Sequence, residues 1–167
     1  MAEPLARIVA LGVALGAAFG APASAQVPIG DFYFFDRSGV DGNRSSVTTL
    51  ADENFVTGAG GLTWACEESR LGVTLSTTYL GRSFRARVRW AFDGEEFSDT
   101  QAWILLTSGM AVRAPADLVE PFTRRALESG RVVLQVTDYQ FRRHSWAFGL
   151  EGLREALDRL PCGLPEP

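Results

Sequence analysis

The chain has 167 residues, with 20 acidic and 16 basic side chains, and its formal net charge is −4 at pH 7. A chain of this length fits one domain that can bury a core of its own. The acidic balance argues against general nucleic-acid binding, because the phosphate backbone attracts proteins of opposite charge.

The N-terminal segment has the pattern of a secretory signal peptide. Arg7 precedes an apolar run over residues 8–19, and the Ala-Ser-Ala triplet at 23–25 supplies the small residues of a cleavage site. The apolar run is shorter than the roughly 20 residues that cross a bilayer. We therefore predict a signal peptide over residues 1–25, a periplasmic or secreted bacterial protein, and no stable membrane insertion after cleavage. An uncleaved N-terminal anchor is the alternative.

Residues 26–60 predict one strand followed by a flexible loop. The aromatic run at 31–36 is typical of a strand, whereas residues 37–46 are rich in Gly, Ser and Asp. Residues 47–55 are mixed in character and indicate no element. The Gly-rich stretch at 58–61 indicates a break before the main domain.

Residues 61–167 predict a single domain that begins with an antiparallel meander. Strand patterns run from residue 62 to residue 113, separated by two-residue turn signals such as Asp93-Gly94. The alternation is most regular over residues 84–92. One predicted face of that strand, directed at the core, carries Phe84, Ala86, Val88, Trp90 and Phe92.

The second half of the domain predicts a helix, a hairpin and another helix. We expect the first helix to begin at Pro121, because proline is tolerated in a first turn, and to end before Gly130. Alternating patterns predict strands at 131–137 and 144–150. The leucine spacing over 151–160 predicts an amphipathic helix.

Cys66 and Cys162 are the two cysteines of the chain. In an exported protein an even count favours a disulfide, which would tie the last helix to the sheet; a free or metal-binding pair is the alternative. The predicted fold class is α+β: an antiparallel β-meander of about six strands, mostly paired with consecutive neighbours, two packed helices and one disulfide.

Four arginines form the most distinctive predicted surface. Arg85, Arg87 and Arg89 alternate along one side of a strand, and Arg82 lies just before it. We call these four residues the arginine face. It could bind an acidic partner, a phosphate or an anionic polymer. The alternative is a solvated sheet face whose arginines pair with cross-strand carboxylates.

No set of residues in the sequence specifies a reaction, so we predict no catalytic residue, no metal and no cofactor. His144 is the only histidine, and Ser145 lies on the opposite strand face, so the two cannot form a triad. The acidic residues from Asp93 to Asp99 lack the ligand order of a calcium loop. We expect the four tryptophans in the core, with a carbohydrate platform as the alternative; they are Trp64, Trp90, Trp103 and Trp146.

The segment from Trp64 to Cys162 carries a recognisable series of motifs. They are Arg85-Ala-Arg-Val-Arg-Trp-Ala-Phe-Asp93, Trp103, Ala114-Pro115, Phe122, Phe148-Gly-Leu-Glu-Gly-Leu153 and the final Cys162. In these the segment resembles the VasI/TagO-like periplasmic accessory proteins associated with type VI secretion. Gly149 and Glu151 depart from that family, which tends to have Asp and Ser there. A weaker resemblance is to the invasion-associated locus B family of small exported β-rich proteins.

The resemblance implies an exported, non-enzymatic accessory protein linked to secretion or envelope assembly. The expected partner is an envelope or secretion-apparatus protein, and no nucleic acid is expected. The alternative is a hydrolase acting on cell-wall polymer, or a carbohydrate-binding module. A hydrolase would need a cleft that contains at least one acid of raised pKa.

Overall fold

The computed structural model describes residues 28–37, 44–52 and 59–163. The predicted signal peptide lies outside these ranges, as do residues 38–43 of the predicted loop. The described chain forms ten strands and two helices, α1 (Ala116–Leu127) and α2 (Leu153–Asp158). The strands are β1 (Pro28–Ile29), β2 (Phe32–Arg37), β3 (Arg44–Leu50), β4 (Gly61–Glu67), β5 (Arg70–Ser76), β6 (Arg85–Phe92), β7 (Gln101–Leu105), β8 (Ala111–Arg113), β9 (Arg131–Thr137) and β10 (Arg143–Gly149).

All ten strands belong to one antiparallel sheet, in the order β1-β2-β3-β4-β5-β8-β7-β6-β9-β10. The block β6-β7-β8 is reversed between β5 and β9, so the chain leaves β5 and crosses the ends of two strands to reach β6. Three strand spacings of about 4.8 Å make this crossing roughly 14 Å. The sheet also curls. This is shown by a bridge between Ala51, just after β3, and Phe148 of β10.

The prediction of an α+β fold with about six strands is wrong. The described chain is mostly β, with ten strands and helices of only 12 and 6 residues. β3 is the main strand that the sequence pattern does not predict. Its inward positions are Ser45, Val47 and Thr49, which are buried but include two polar residues. Such residues carry little hydrophobic periodicity, although β-branched Thr and Val suit a strand.

The prediction that most strands pair with consecutive neighbours is confirmed for seven of the nine pairings in the described sheet, and the exceptions are β5 with β8 and β6 with β9. A two-residue turn signal identifies a hairpin, but an eight-residue connection does not specify which strand it reaches. The hairpins β4–β5 and β9–β10 follow the predicted local order.

Helix α1 packs on the inner face of the curled sheet through Phe122, which is 2% exposed. This ring joins strands that are distant in the chain, and its contacts with Trp90 and Trp103 are edge-on, an arrangement that adds to the energy of burial. The centroid of the Phe122 ring lies 5.5 to 6.2 Å from the ring centroids of Trp64, Trp90, Phe92 and Trp103.

A hydrogen-bonded chain of polar groups also connects α1 to the sheet. Trp64 Nε1 donates to Thr123 Oγ1 at 3.0 Å, and Thr123 Oγ1 donates to the Val119 carbonyl at 2.7 Å. Trp64 and Thr123 are both fully buried. The bond therefore satisfies an indole N–H that would otherwise be buried without a partner.

Helix α1 begins at Ala116, five residues before the predicted start, and Pro121 lies inside it. Proline at this position forfeits the bond to the carbonyl four residues earlier. Burial of Val119, Phe122 and Ala126 on one helical stripe offsets that loss.

The predicted disulfide is confirmed. Cys66 of β4 and Cys162, four residues after α2, are bonded, with 5.7 Å between their Cα atoms. The bridge fastens the end of the chain to the middle of the sheet across a separation of 96 residues. Such a bond fits an oxidising, extracytoplasmic compartment.

Candidate functional site: an arginine face and an aromatic rim

The arginine face lies on the outside of β6. Arg85 and Arg87 are exposed, and they alternate with buried Ala86 and Val88 as the sequence pattern predicts. Arg89 is half-buried and is already engaged. Its Nε donates to Gln135 Oε1 at 2.8 Å, and its guanidinium carbon lies 4.6 Å from the centroid of the Phe97 ring.

The other arginines of this face have no carboxylate partner in the described part of the chain. A pairing with cross-strand acids would require Asp or Glu on β7 or β9 opposite Arg85 and Arg87. The residues found there are Ile104, Ala102 and Thr137. These guanidinium groups are therefore available to an external anion.

Three loops meet at the end of the sheet where β6 begins. They are residues 77–84, 106–110 and 138–142, and we call them together the aromatic rim. The Leu80 N–H donates to the Gly109 carbonyl at 2.7 Å, and the Tyr139 N–H donates to the Leu80 carbonyl at 3.0 Å. The crossing loop from β5 to β6 is therefore bonded to both neighbouring turns.

Large apolar side chains project from all three loops of the rim. Phe84 is 92% exposed and Phe141 83%, although Phe84 was predicted to face the core. Phe84 precedes β6, so it does not follow the alternation of that strand. The half-exposed members are Tyr79, Met110 and Tyr139. Clusters of exposed apolar residues mark interaction sites more often than single ones do.

Glycine at two positions allows the loops of the rim to approach each other closely. Gly109 has a φ of +68°, and a Cβ there would lie 2.4 Å from the carbonyl oxygen of Gly81. Beside this contact the rings of Tyr79 and Tyr139 pack edge-on, with centroids 6.1 Å apart. The rim is thus held by the backbone as well as by its side chains.

Asp138 anchors the third loop of the rim. Its Oδ1 accepts the backbone N–H groups of Gln140 and Arg142 at 2.8 and 2.9 Å, and its Oδ2 accepts Arg142 Nε at 2.9 Å. Burial of the carboxyl acts to raise its pKa. The hydrogen bonds from His144, Arg142 and Gln140 outweigh that effect and hold the pKa of Asp138 well below its usual range.

His144 is part of this anchor. Its Nε2 lies 3.0 Å from Asp138 Oδ2, and its ring stacks on that of Trp146. Ser145 is on the opposite face of β10, where its Oγ accepts from Gln135 Nε2 at 3.0 Å. The arrangement orients a hairpin and does not form a catalytic triad.

A surface cleft of about 530 Å³ lies away from the rim and contains two carboxylates, Asp31 and Asp52. Asp31 Oδ2 accepts the Glu151 N–H at 2.9 Å, and Asp52 Oδ2 lies 3.2 Å from Arg131 Nη2. Both carboxylates act as acceptors for donors within the protein.

Three of the four tryptophans, Trp64, Trp103 and Trp146, are fully buried, which confirms the core prediction for them. Trp90 is half-buried and borders a second cleft of about 370 Å³. A carbohydrate platform built from all four rings is therefore excluded.

Two of the acidic residues after β6 have structural partners. Asp93 Oδ1 accepts the N–H groups of Gly130 and Arg131 at 3.0 and 2.9 Å, and Glu95 pairs with Arg125. Among the residues that the structure describes, no cluster of His, Cys, Asp or Glu could hold a metal ion. The same residues include no helix long and apolar enough to span a bilayer.

Comparison with known proteins supports the fold alone. No protein-family model and no curated protein matches the chain, so the resemblance to type VI secretion accessory proteins gains no support. The crystal structure of invasion associated protein B from Bartonella henselae is similar in fold, with a TM-score of 0.56 and 12% sequence identity. The match covers 80% of this chain and 92% of that one. This chain is thus similar in architecture to the protein of the weaker resemblance.

Proposed function

We propose that this chain is an exported, non-enzymatic binding protein of the bacterial envelope, acting as an accessory in secretion or envelope assembly. The observation that carries the proposal is the arginine face, where three exposed guanidinium groups lack a carboxylate partner in the described structure. Unpaired arginines beside exposed aromatic residues are the composition of protein-interaction surfaces.

The supporting features concern compartment and fold. The disulfide fits an oxidising compartment. The fold likeness to a protein named for its association with invasion fits an exported role. We favour binding over hydrolysis because both carboxylates of the larger cleft already accept hydrogen bonds or ion pairs from the protein.

Crosslinking in the native host tests the proposal. A C-terminally tagged chain is crosslinked in the envelope, and captured proteins are identified by mass spectrometry for the wild type and for the double variant Arg85→Gln/Arg87→Gln. We expect one envelope or secretion-apparatus protein to be captured by the wild type and to fall about tenfold or more in the variant, which corresponds to about 1.4 kcal/mol.

The matched control is Arg70→Gln/Arg154→Gln, which makes the same change of charge at two exposed arginines outside the face. Its capture should equal that of the wild type. All variants should unfold within about 1 kcal/mol of the wild type, since exposed side chains contribute little to stability. Equal capture by all three proteins contradicts the proposal. Capture of cell-wall fragments alone favours the cell-wall alternative.

A further inference from the structure

We propose that the aromatic rim is a peripheral docking surface for a bilayer containing anionic phospholipid. The inference rests on the proposed role at the envelope and adds the membrane as the surface that the rim meets. Contact is reversible: rim side chains enter the headgroup region and the start of the acyl chains, and the part of the chain that the structure describes does not cross the membrane.

The first support is the shape of the rim. Phe84 and Phe141 project from separate loops and are 92% and 83% exposed, so each ring stands clear of the protein. Burying such rings at the boundary of the acyl chains is favourable in proportion to their apolar area. Tyr79 and Tyr139, beside them, have the half-apolar, half-polar rings that are enriched at membrane interfaces.

The second support is that the three loops of the rim are already held in a fixed conformation. The loops are bonded to one another through Leu80, and Asp138 fixes the third loop by four hydrogen bonds. The rings are therefore displayed by a scaffold that is already folded. Docking loses less conformational entropy than it would if flexible loops had to be ordered.

The third support is the distribution of charge. The rim and the strand ends next to it carry arginines at 82, 85, 142 and 143, while the one carboxylate among residues 77–85, 106–110 and 138–143 is Asp138. Asp138 is buried and faces Arg142 and His144. This end of the protein is therefore cationic in a chain of net charge −4, which suits an anionic leaflet.

The acidic turn at 93–96 lies at the other end of β6. Seven residue steps of about 3.3 Å place it roughly 23 Å from the rim. That distance exceeds the Debye length of about 8 Å at physiological salt, so its repulsion from an anionic surface is screened. The separation of charge also orients the molecule with the rim toward the membrane.

A bilayer fits the rim better than a small ligand does. The two clefts of 530 and 370 Å³ share no residue with the three rim loops. Small molecules bind in concave sites that enclose most of their surface. Separate protruding rings with arginines around them instead suit a bilayer, whose lipids can rearrange to bury each ring.

Vesicle co-sedimentation tests the inference. The chain is purified from the periplasm of an expression host and mixed with two kinds of vesicle. One is phosphatidylcholine alone, and the other is phosphatidylcholine with about 30% of the anionic lipid phosphatidylglycerol. We expect binding to the anionic vesicles and little to the neutral ones. The variant Phe84→Ser/Phe141→Ser should lower the partition coefficient about tenfold or more, and Arg82→Gln/Arg85→Gln about fivefold per arginine.

The matched control is Phe97→Ser, which removes a partly exposed ring in the acidic loop and should leave partitioning unchanged. Anionic-vesicle binding that survives Phe84→Ser/Phe141→Ser overturns the proposal, since it would then come from charge alone or from the apolar N-terminal run. No binding to either vesicle also overturns it. If protein capture still depends on Arg85 and Arg87 in that case, the proposed function stands and the arginine face binds a protein.

Discussion

The disulfide between Cys66 and Cys162 should account for much of the stability of this fold. In the chain-entropy model, a bond across 96 residues removes about 16 cal/mol/K of entropy from the unfolded chain, or about 4.7 kcal/mol at 25 °C. A typical domain of this size is stabilised by only about 5–15 kcal/mol in total. At about 3 °C per kcal/mol, loss of the bond should lower Tm by roughly 15 °C.

The measurement is unfolding in urea and by heat, followed by circular dichroism, for the oxidised protein, the same protein after reduction, and Cys66→Ala/Cys162→Ala. Reduction leaves both side chains in place and isolates the effect of the bond. The Ala variant also loses packing, because Cys66 is buried in the core. It should therefore be no more stable than the reduced protein.

The entropic mechanism of the disulfide can be tested separately by the m-value, which is the slope of the unfolding free energy against urea concentration. If the bond acts on the unfolded chain, the reduced protein should have a larger m-value, because its unfolded state exposes more surface. Mass spectrometry confirms the two-hydrogen gain on reduction. A Tm that falls by less than about 3 °C with an unchanged m-value would refute the entropic account of this bond.

Two further predictions concern buried polar groups. Thr123→Val keeps the shape of the side chain but leaves the Trp64 indole N–H without its acceptor, so the free energy of unfolding should fall by about 1–3 kcal/mol; a loss below about 0.5 kcal/mol in urea unfolding would contradict this role. For Asp138, the folded-state pKa lies below the unfolded value, so its stabilising effect is complete above about pH 4 and is lost as the pH falls from there toward the folded pKa. Asp138→Asn should therefore be less stable than the wild type at pH 6, and the gap should narrow below pH 4. A gap that is constant from pH 3 to pH 6 would show that the carboxylate charge is not the cause.

Much of the local structure could be predicted from the sequence, because it depends on side-chain alternation within a single strand. The strand predicted at 131–137 is β9, and those predicted at 84–92 and 144–150 differ from β6 and β10 by about one residue at their ends. β3 could not be found this way, since its inward residues are mainly Ser and Thr. Its strand character depends on pairing with β2 and β4 on both sides.

The candidate site also combines features that the sequence predicts with features that only the structure shows. Alternation in β6 correctly predicted that Arg85, Arg87 and Arg89 share the outer face. Whether each has a partner depends on β7, β9 and the acidic loop, which engage Arg89 and leave Arg85 and Arg87 unpaired. Two members of the rim, Tyr79 and Met110, each lie within two residues of a turn signal, Gly81 or Gly109. That signal marks a loop but does not indicate that three loops meet.

The sequence by itself determined the pairing of the two cysteines, the outward direction of the arginines and the approximate limits of the regular strands, because each follows from residue type or short-range period. Only the tertiary structure decided the strand order, the curling of the sheet and the assembly of the aromatic rim. The physical reason is distance along the chain. The loops at 77–84, 106–110 and 138–142 adjoin because β6, β7 and β8 are reversed between β5 and β9, and that order comes from burial of inward side chains contributed by many separate strands.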